Sequence, residues 1–308
     1  MKKQGKKKSE KHHWWPRCVS KHWKNENGLV HMLLPNGEVT ASFPENFGCL
    51  GNGHYIKLGR ESGETTPFDE NFESIFHDAD HDFPDVISWL QSLERKDVSD
   101  PQLTDRFIPQ NVTDEQIGPL VESIVSLAIR SPMQRETGVR TAEAIRGGGR
   151  LPERERNSLI TMNMRDSHEK AVSQIGTRGK FAVLYSPERE FIFGDGFFHN
   201  VRSPVQYQPN NYKMLVPITP EISVLYVCPR QYITEPRFFT LVITPEEADI
   251  FNNTIQIYSS ERLFFRSEKP TITPDYKSAE HLEYGNTNNP VDTLISAIPG
   301  VRNRQSFF

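Results

Sequence analysis

Gly176-Thr177-Arg178-Gly179-Lys180-Phe181-Ala182-Val183-Leu184-Tyr185 is where the pattern of this chain changes. Upstream, apolar residues recur at helical spacing. From Phe181 onward they come in short runs cut by turn residues, which is how strands read. Extended segments are expected at 181–185, 190–194, 214–217, 222–227 and 238–243, and the short links between them favour antiparallel order. Thr244-Pro245-Glu246-Glu247 opens a capped helix with proline in its first turn. Ala248, Phe251, Ile255 and Tyr258 share its buried face, and Arg262 to Phe265 reads as a last strand.

Working back from Gly176, a helix is expected over 153–175. Residues 135–156, rich in arginine and carrying Gly147-Gly148-Gly149, read as a hinge or exposed loop. Thr113 and Gln116 form a capping box before the stripe Ile117, Leu120, Val121, Ile124, Leu127 and Ala128. Pro132 stops that helix and leaves Arg130 in its last turn, while Pro119 makes its first turn irregular or its start later. Val86 to Leu90 ends an earlier helix whose early turns include Phe76. Gly28 to Phe43 is a β-hairpin turning at Pro35-Asn36-Gly37-Glu38. The expected class is α+β: an N-terminal β-hairpin, a helical middle, and a C-terminal antiparallel sheet with a packed helix. The expected division is a basic disordered arm over 1–11, a single domain over 12–267, and an irregular tail over 268–308.

The chain has 308 residues and an ordinary globular composition, 36% hydrophobic and 25% charged. No run approaches the roughly 20 apolar residues of a membrane helix, so no membrane partner is expected. No apolar run follows the basic front, so no secretory signal is read there. Cys18, Cys49 and Cys228 are few, odd in number and widely spaced, which points to a reducing cytoplasm and to no disulfide or cysteine metal site. The net charge of −4 conceals an asymmetry. Residues 1–24 hold nine Lys/Arg and one acid, leaving the remainder at −12. The basic arm is either a solvated tail or a polyanion contact.

Four places carry a resemblance. They are His13-Trp14-Trp15-Pro16 followed by Trp23; the hairpin with Pro44-Glu45-Asn46-Phe47 and Tyr55; the helix from Leu120 to Arg130 with Ser131-Pro132 and Arg135-Glu136; and Phe193-Gly194-Asp195 with Pro217-Ile218-Thr219-Pro220 and Phe251-Asn252. In this order they resemble the bacterial family called domain of unknown function 4238, over residues 12–267. The chain departs where Gly194 stands for serine and Gly196-Phe197 for Asn-Pro. The resemblance implies a fold and a loose association with toxin-like or phage-defence proteins.

The candidate site gathers around His12 and His13. Histidine titrates near neutrality, and Lys11 and Arg17 lie beside the pair to hold an anion. A metal-independent ribonuclease needs little beyond one base, one acid and a cation for the phosphorane charge. On that reading His13, assisted by His12, is the acid/base, Arg17 and Arg130 hold phosphate, Asp195 orients one of them, and Trp14 stacks a base. Asn252 contacts substrate or bonds a strand edge. The competing reading has His13 bonding the hairpin, Trp14 and Trp15 filling the core, Arg130 complementing the helix dipole and Asp195 making an Asx turn. A pair between Arg130 and Asp195 is a further alternative. His77-Asp78-Ala79-Asp80-His81-Asp82 places two histidines at i,i+4 but reads better as a solvated segment than a metal site. Gly147 to Gly149 is no phosphate loop, and no cofactor is expected. The expected function is an effector acting on nucleic acid, RNA more than DNA. The alternative is a non-catalytic nucleotide- or protein-binding module of a defence complex.

Overall fold

The computed structural model describes residues 11–46, 48–51, 55–56, 70–71, 73–97, 102–201, 211–284 and 289–301. The basic arm before Lys11, Phe47 and the side chains of His12 and Tyr55 lie outside the described parts. At the front, β1 (Lys11–His13) leads through the one-turn helix α1 (Arg17–Ser20) into the expected hairpin, β2 (Val30–Leu33) and β3 (Val39–Ser42). The hairpin register runs from Val30 opposite Ser42 to Leu33 opposite Val39. Then β4 (Cys49–Gly51) returns antiparallel to β1, and the short pair β5 (Tyr55–Ile56) and β6 (Glu70–Asn71) follows.

The middle holds α2 (His77–Ser92), the edge strand β7 (Ile108–Pro109), α3 (Asp114–Arg130), α4 (Pro132–Ile145) and α5 (Glu153–Ile175). At the start of α3 the Thr113 amide donates to Gln116 Oε1 at 3.0 Å. That helix runs unbroken across Pro119, so the expected irregular first turn is absent. The hinge expected over 135–156 is corrected: Pro132, read as a stop, occupies the first turn of a new helix, where its missing N–H costs nothing. Ser131 caps it by accepting from the Gln134 amide at 3.3 Å. Only the glycines and their neighbours are left as a loop. Helix α3 packs against α2, α4 and α5.

The remaining elements are β8 (Lys180–Tyr185), β9 (Phe193–Gly194), β10 (Lys213–Thr219), β11 (Ile222–Val227), β12 (Phe238–Val242), α6 (Pro245–Tyr258), β13 (Leu263–Phe265), α7 (Pro274–Lys277) and α8 (Pro290–Ala297). Two sheets carry the fold, in the orders β10-β11-β8-β12-β7 and β3-β2-β13-β9. Every residue of β8, β11 and β12 is buried, so these strands are near-continuous apolar runs rather than alternating ones. The α+β class stands, with two local differences. Strands β8 and β12 are parallel, because the chain between them makes the antiparallel excursion through β10 and β11. The strand expected over 190–194 shrinks to Phe193–Gly194 and joins the hairpin's sheet through β13.

The tail, expected to be irregular from 268, is corrected as well. Tyr276 on α7 is fully buried and its hydroxyl donates to the Leu33 carbonyl at 2.7 Å. Val291, Leu294 and Ile295 of α8 are also buried. Among the described residues no helix is long and apolar enough to cross a membrane. Because the tail completes the core over the hairpin, Tyr276→Ala is expected to cost about 3 kcal/mol of stability. Urea denaturation measures this, and an unchanged midpoint would show the tail to be dispensable.

Candidate functional site

Trp14 and Trp15 are 2% and 0% exposed. The Trp15 ring lies flat on Phe193, centroids 4.5 Å apart with planes 9° from parallel, and it also meets Phe264 at 4.7 Å. Trp14 stacks on Phe193 at 6.2 Å. Trp23 closes the cluster and donates its indole N–H to the Ile218 carbonyl at 3.2 Å. The expectation that Trp14 stacks a nucleobase is therefore corrected: both of its faces serve the core. Gly48 permits the approach, since a Cβ there would sit 2.6 Å from Trp15 Cβ on a backbone at φ +61.

Arg130 is 1% exposed and fully committed. Its Nη2 donates to Asp80 Oδ1 at 2.6 Å and its Nη1 to Asp80 Oδ2 at 3.2 Å, a bidentate pair. Nη1 also reaches the His13 carbonyl at 3.5 Å, and Nε reaches Ser126 O at 3.4 Å. The guanidinium lies over Phe76 at 4.7 Å. A phosphate would have to displace Asp80, so the phosphate-holding role is corrected, as is a pair between Arg130 and Asp195. The sequence missed Asp80 as partner, although it stands next to Ala79 in the buried stripe of α2. His77 and His81 point to solvent, and among the described residues no group of three His, Cys, Asp or Glu could hold a metal.

His168 on α5 completes this neighbourhood, meeting Phe76 edge-on at 5.1 Å. Burial and the Arg130 charge push its imidazole down to about 4. Burial, reinforced by Asp80, pushes the Cys18 thiol up to about 11, so it is no nucleophile.

Asp195 is 1% exposed and faces the chain after α6. Its Oδ1 accepts from the Ser260 amide at 3.0 Å, and its Oδ2 accepts from the Glu261 amide at 3.0 Å. Ser260 Oγ lies 3.3 Å from Oδ2 and 3.0 Å from His281 Nε2, while His281 Nδ1 meets the Tyr258 carbonyl at 2.8 Å. Burial holds the Asp195 carboxyl above the usual carboxylate range, with His281 and the amides pulling it back. Its orienting role toward Arg130 or His13 is thus corrected: its carboxylate partners are Ser260 and Glu261. Neither flanking glycine tolerates a side chain. A Cβ on Gly194 would meet Ser259 Oγ at 1.9 Å, and one on Gly196 would meet the Tyr258 carbonyl at 1.9 Å. Asn252 is corrected to the strand-edge role, accepting from the Ile192 amide at 3.0 Å and donating to Glu190 O at 2.9 Å. His13 is half-buried opposite Cys49, and Arg17 is exposed on α1.

Concave space opens elsewhere. A cleft of about 630 Å³ lies between the turn after β8, the outer face of α6 and the chain after β13. Five carboxylates (Glu188, Glu190, Glu221, Asp249 and Glu268) line it against three cations, Arg189, Arg266 and Lys269. The cations are occupied: Arg266 pairs with Glu190 and Glu221, Arg189 pairs with Asp249 and Glu268, and Lys269 donates to Gly37 O at 3.0 Å. Gln256 fixes the far wall, donating to Thr271 O at 2.9 Å and accepting from the Thr273 amide at 2.8 Å.

No family model matches the chain, and neither curated proteins nor solved structures give a match.

Two outcomes follow from the buried charges. Asp80→Ala is expected to cost about 2–3 kcal/mol, because it leaves a buried guanidinium unpaired. The unchanged midpoint of a denaturation curve would contradict that. For His168 the folded value is depressed, so the unfolded chain takes up the proton first as pH falls. Stability is therefore complete above 6.5 and is lost down to about 4, by about 3 kcal/mol in total. His168→Leu should remove that component, seen as a flatter stability profile across the window.

Proposed function

We propose that this chain is a non-catalytic protein-binding module whose cleft receives a basic, polar peptide segment. The observation that carries this reading is the charge of the cleft wall. Its five carboxylates outnumber its three cations; Glu190, Glu221, Asp249 and Glu268 share ion pairs with Arg189 and Arg266, and Glu188 adds an exposed negative charge at the rim. A concave surface with an excess of one sign of charge raises the local concentration of the opposite sign. Such a wall repels a phosphate backbone and attracts lysine and arginine. The groups expected to run phosphoryl chemistry lend no support to a nuclease: Arg130, Asp195, Trp14 and Asn252 are spent on the fold.

A cytoplasmic defence complex, suggested by the resemblance over 12–267, belongs to the same proposal. The ribonuclease reading keeps one point, the half-buried His13 near the exposed Arg17.

Both readings meet in one titration. A labelled lysine/serine peptide and a single-stranded RNA are each followed by fluorescence anisotropy against the wild type and Glu188→Lys. Glu188 is exposed, so its reversal leaves the fold intact. The expected result is peptide binding weakened about tenfold by the reversal, equivalent to about 1.4 kcal/mol. RNA binding that is unaffected by the reversal and accompanied by cleavage lost in His13→Ala would overturn the proposal.

A further inference from the structure

The segment after the cleft wall, residues 271–284, crosses α6 as a strap. Gln256 holds its start, Tyr276 is buried in its middle, and Ala279, at φ +56, turns it toward His281. Its far end is docked by His281, by the Leu282 amide donating to Ile257 O at 3.0 Å, and by the Tyr284 amide donating to the Tyr258 hydroxyl at 3.3 Å.

Hydrogen accounting along Asp195, Ser260 and His281 gives a definite result. The Tyr258 carbonyl can only accept, so His281 Nδ1 carries a proton in every state. That leaves Nε2, the Ser260 hydroxyl and Asp195 Oδ2 in a row, with two short gaps to bridge. With one proton beyond the serine's own, both gaps are filled. Either Asp195 donates to Ser260 and Ser260 to His281, or His281 donates to Ser260 and Ser260 to Asp195. Without that proton, the carboxylate and the imidazole compete for a single hydroxyl hydrogen, and one gap sets two acceptors face to face. The carboxylate is then buried with less compensation.

We propose that one proton shared by Asp195, Ser260 and His281 latches the strap onto α6, so that docking of residues 279–284 tightens on protonation and loosens on deprotonation. The proton binds better to the docked state. By linkage, docking is complete at low pH and is lost as pH rises through the docked-state ionisation. The other titratable or charged groups around the chain do not replace the proton. Glu261 and Arg262 follow Ser260 and face each other at 3.8 Å, and Glu280 and Glu283 flank His281 in sequence; the carboxylates bring no donor, and the Arg262 guanidinium is turned to Glu261. Burial raises the ionisation of Tyr258 and Tyr276, so both stay neutral throughout.

The latch stands independently of what the cleft binds. Its consequence for binding rests on the peptide reading, because the strap supplies Thr271, Ile272 and Thr273 to the cleft wall.

The test is amide hydrogen exchange of the full chain, read at Leu282 and Tyr284 between about pH 5.5 and 8.5 and corrected for intrinsic exchange. The corrected opening of these amides is expected to rise at least about tenfold with pH in the wild type. It should become pH-independent in Ser260→Ala, which removes the bridging oxygen, and in His281→Gln, which removes the imidazole. Opening that is flat with pH in the wild type, or a pH response that survives in both variants, would overturn the latch. Peptide anisotropy at both pH values separates the two proposals: exchange that responds without any peptide binding leaves the latch standing and removes the binding role.

Discussion

The stacking of Trp15 on Phe193 is the contact on which the rest of the structure depends. It joins the front of the chain to β9, a strand that the rear of the chain contributes to the hairpin's sheet, across a sequence separation that no local preference could bridge. An aromatic pair adds about 0.5–1.5 kcal/mol beyond its burial, so the cluster of three tryptophans with Phe193 and Phe264 is a principal seam. Its consequence is steric. Phe193 begins the turn Gly194-Asp195-Gly196, and α6 presses on that turn until a single methyl group on either glycine would collide. A corner packed this tightly has no room for a substrate, and the aspartate in it is left with only protein partners.

The two main buried charges of this region are handled in different ways. Arg130 faces the half-exposed carboxylate of Asp80 in a bidentate fork that fixes α2 to α3. Asp195 meets two backbone amides and reaches the His281 imidazole only through a serine hydroxyl. Dipoles alone compensate a buried carboxylate incompletely, which is why its protonation is raised. One arrangement is a fixed strut; the other responds to protons.

What the sequence made legible follows from range. The capping boxes at Thr113 and Thr244, the Gly176 stop and the hairpin turn are local signals, read within a few residues, and all are present in the fold. Pro132 was misread because proline ends one helix and starts the next equally well, and only Ser131 at the cap decides between them. Asp80, Ser260 and His281 were missed for a different reason. Asp80 and Arg130 are 50 residues apart, and Asp195 and Ser260 are 65 apart. The nuclease expectation grouped residues by chemical type, whereas the fold grouped them by whichever backbone group each was left facing.

The strap is held by fastenings of unequal kind, and this sets how much a proton can do. The two Gln256 bonds and the buried Tyr276 hydroxyl on Leu33 O do not titrate near neutrality. The His281 contact alone among these runs through the hydrogen-bonded chain of Ser260 and Asp195. Losing a proton therefore loosens the far end while the wall beside the cleft keeps its own supports. The response is graded along the strap, largest at Leu282 and smallest at Thr271. A latch that loosens the far end while Gln256 holds the cleft wall leaves the binding surface folded in both states.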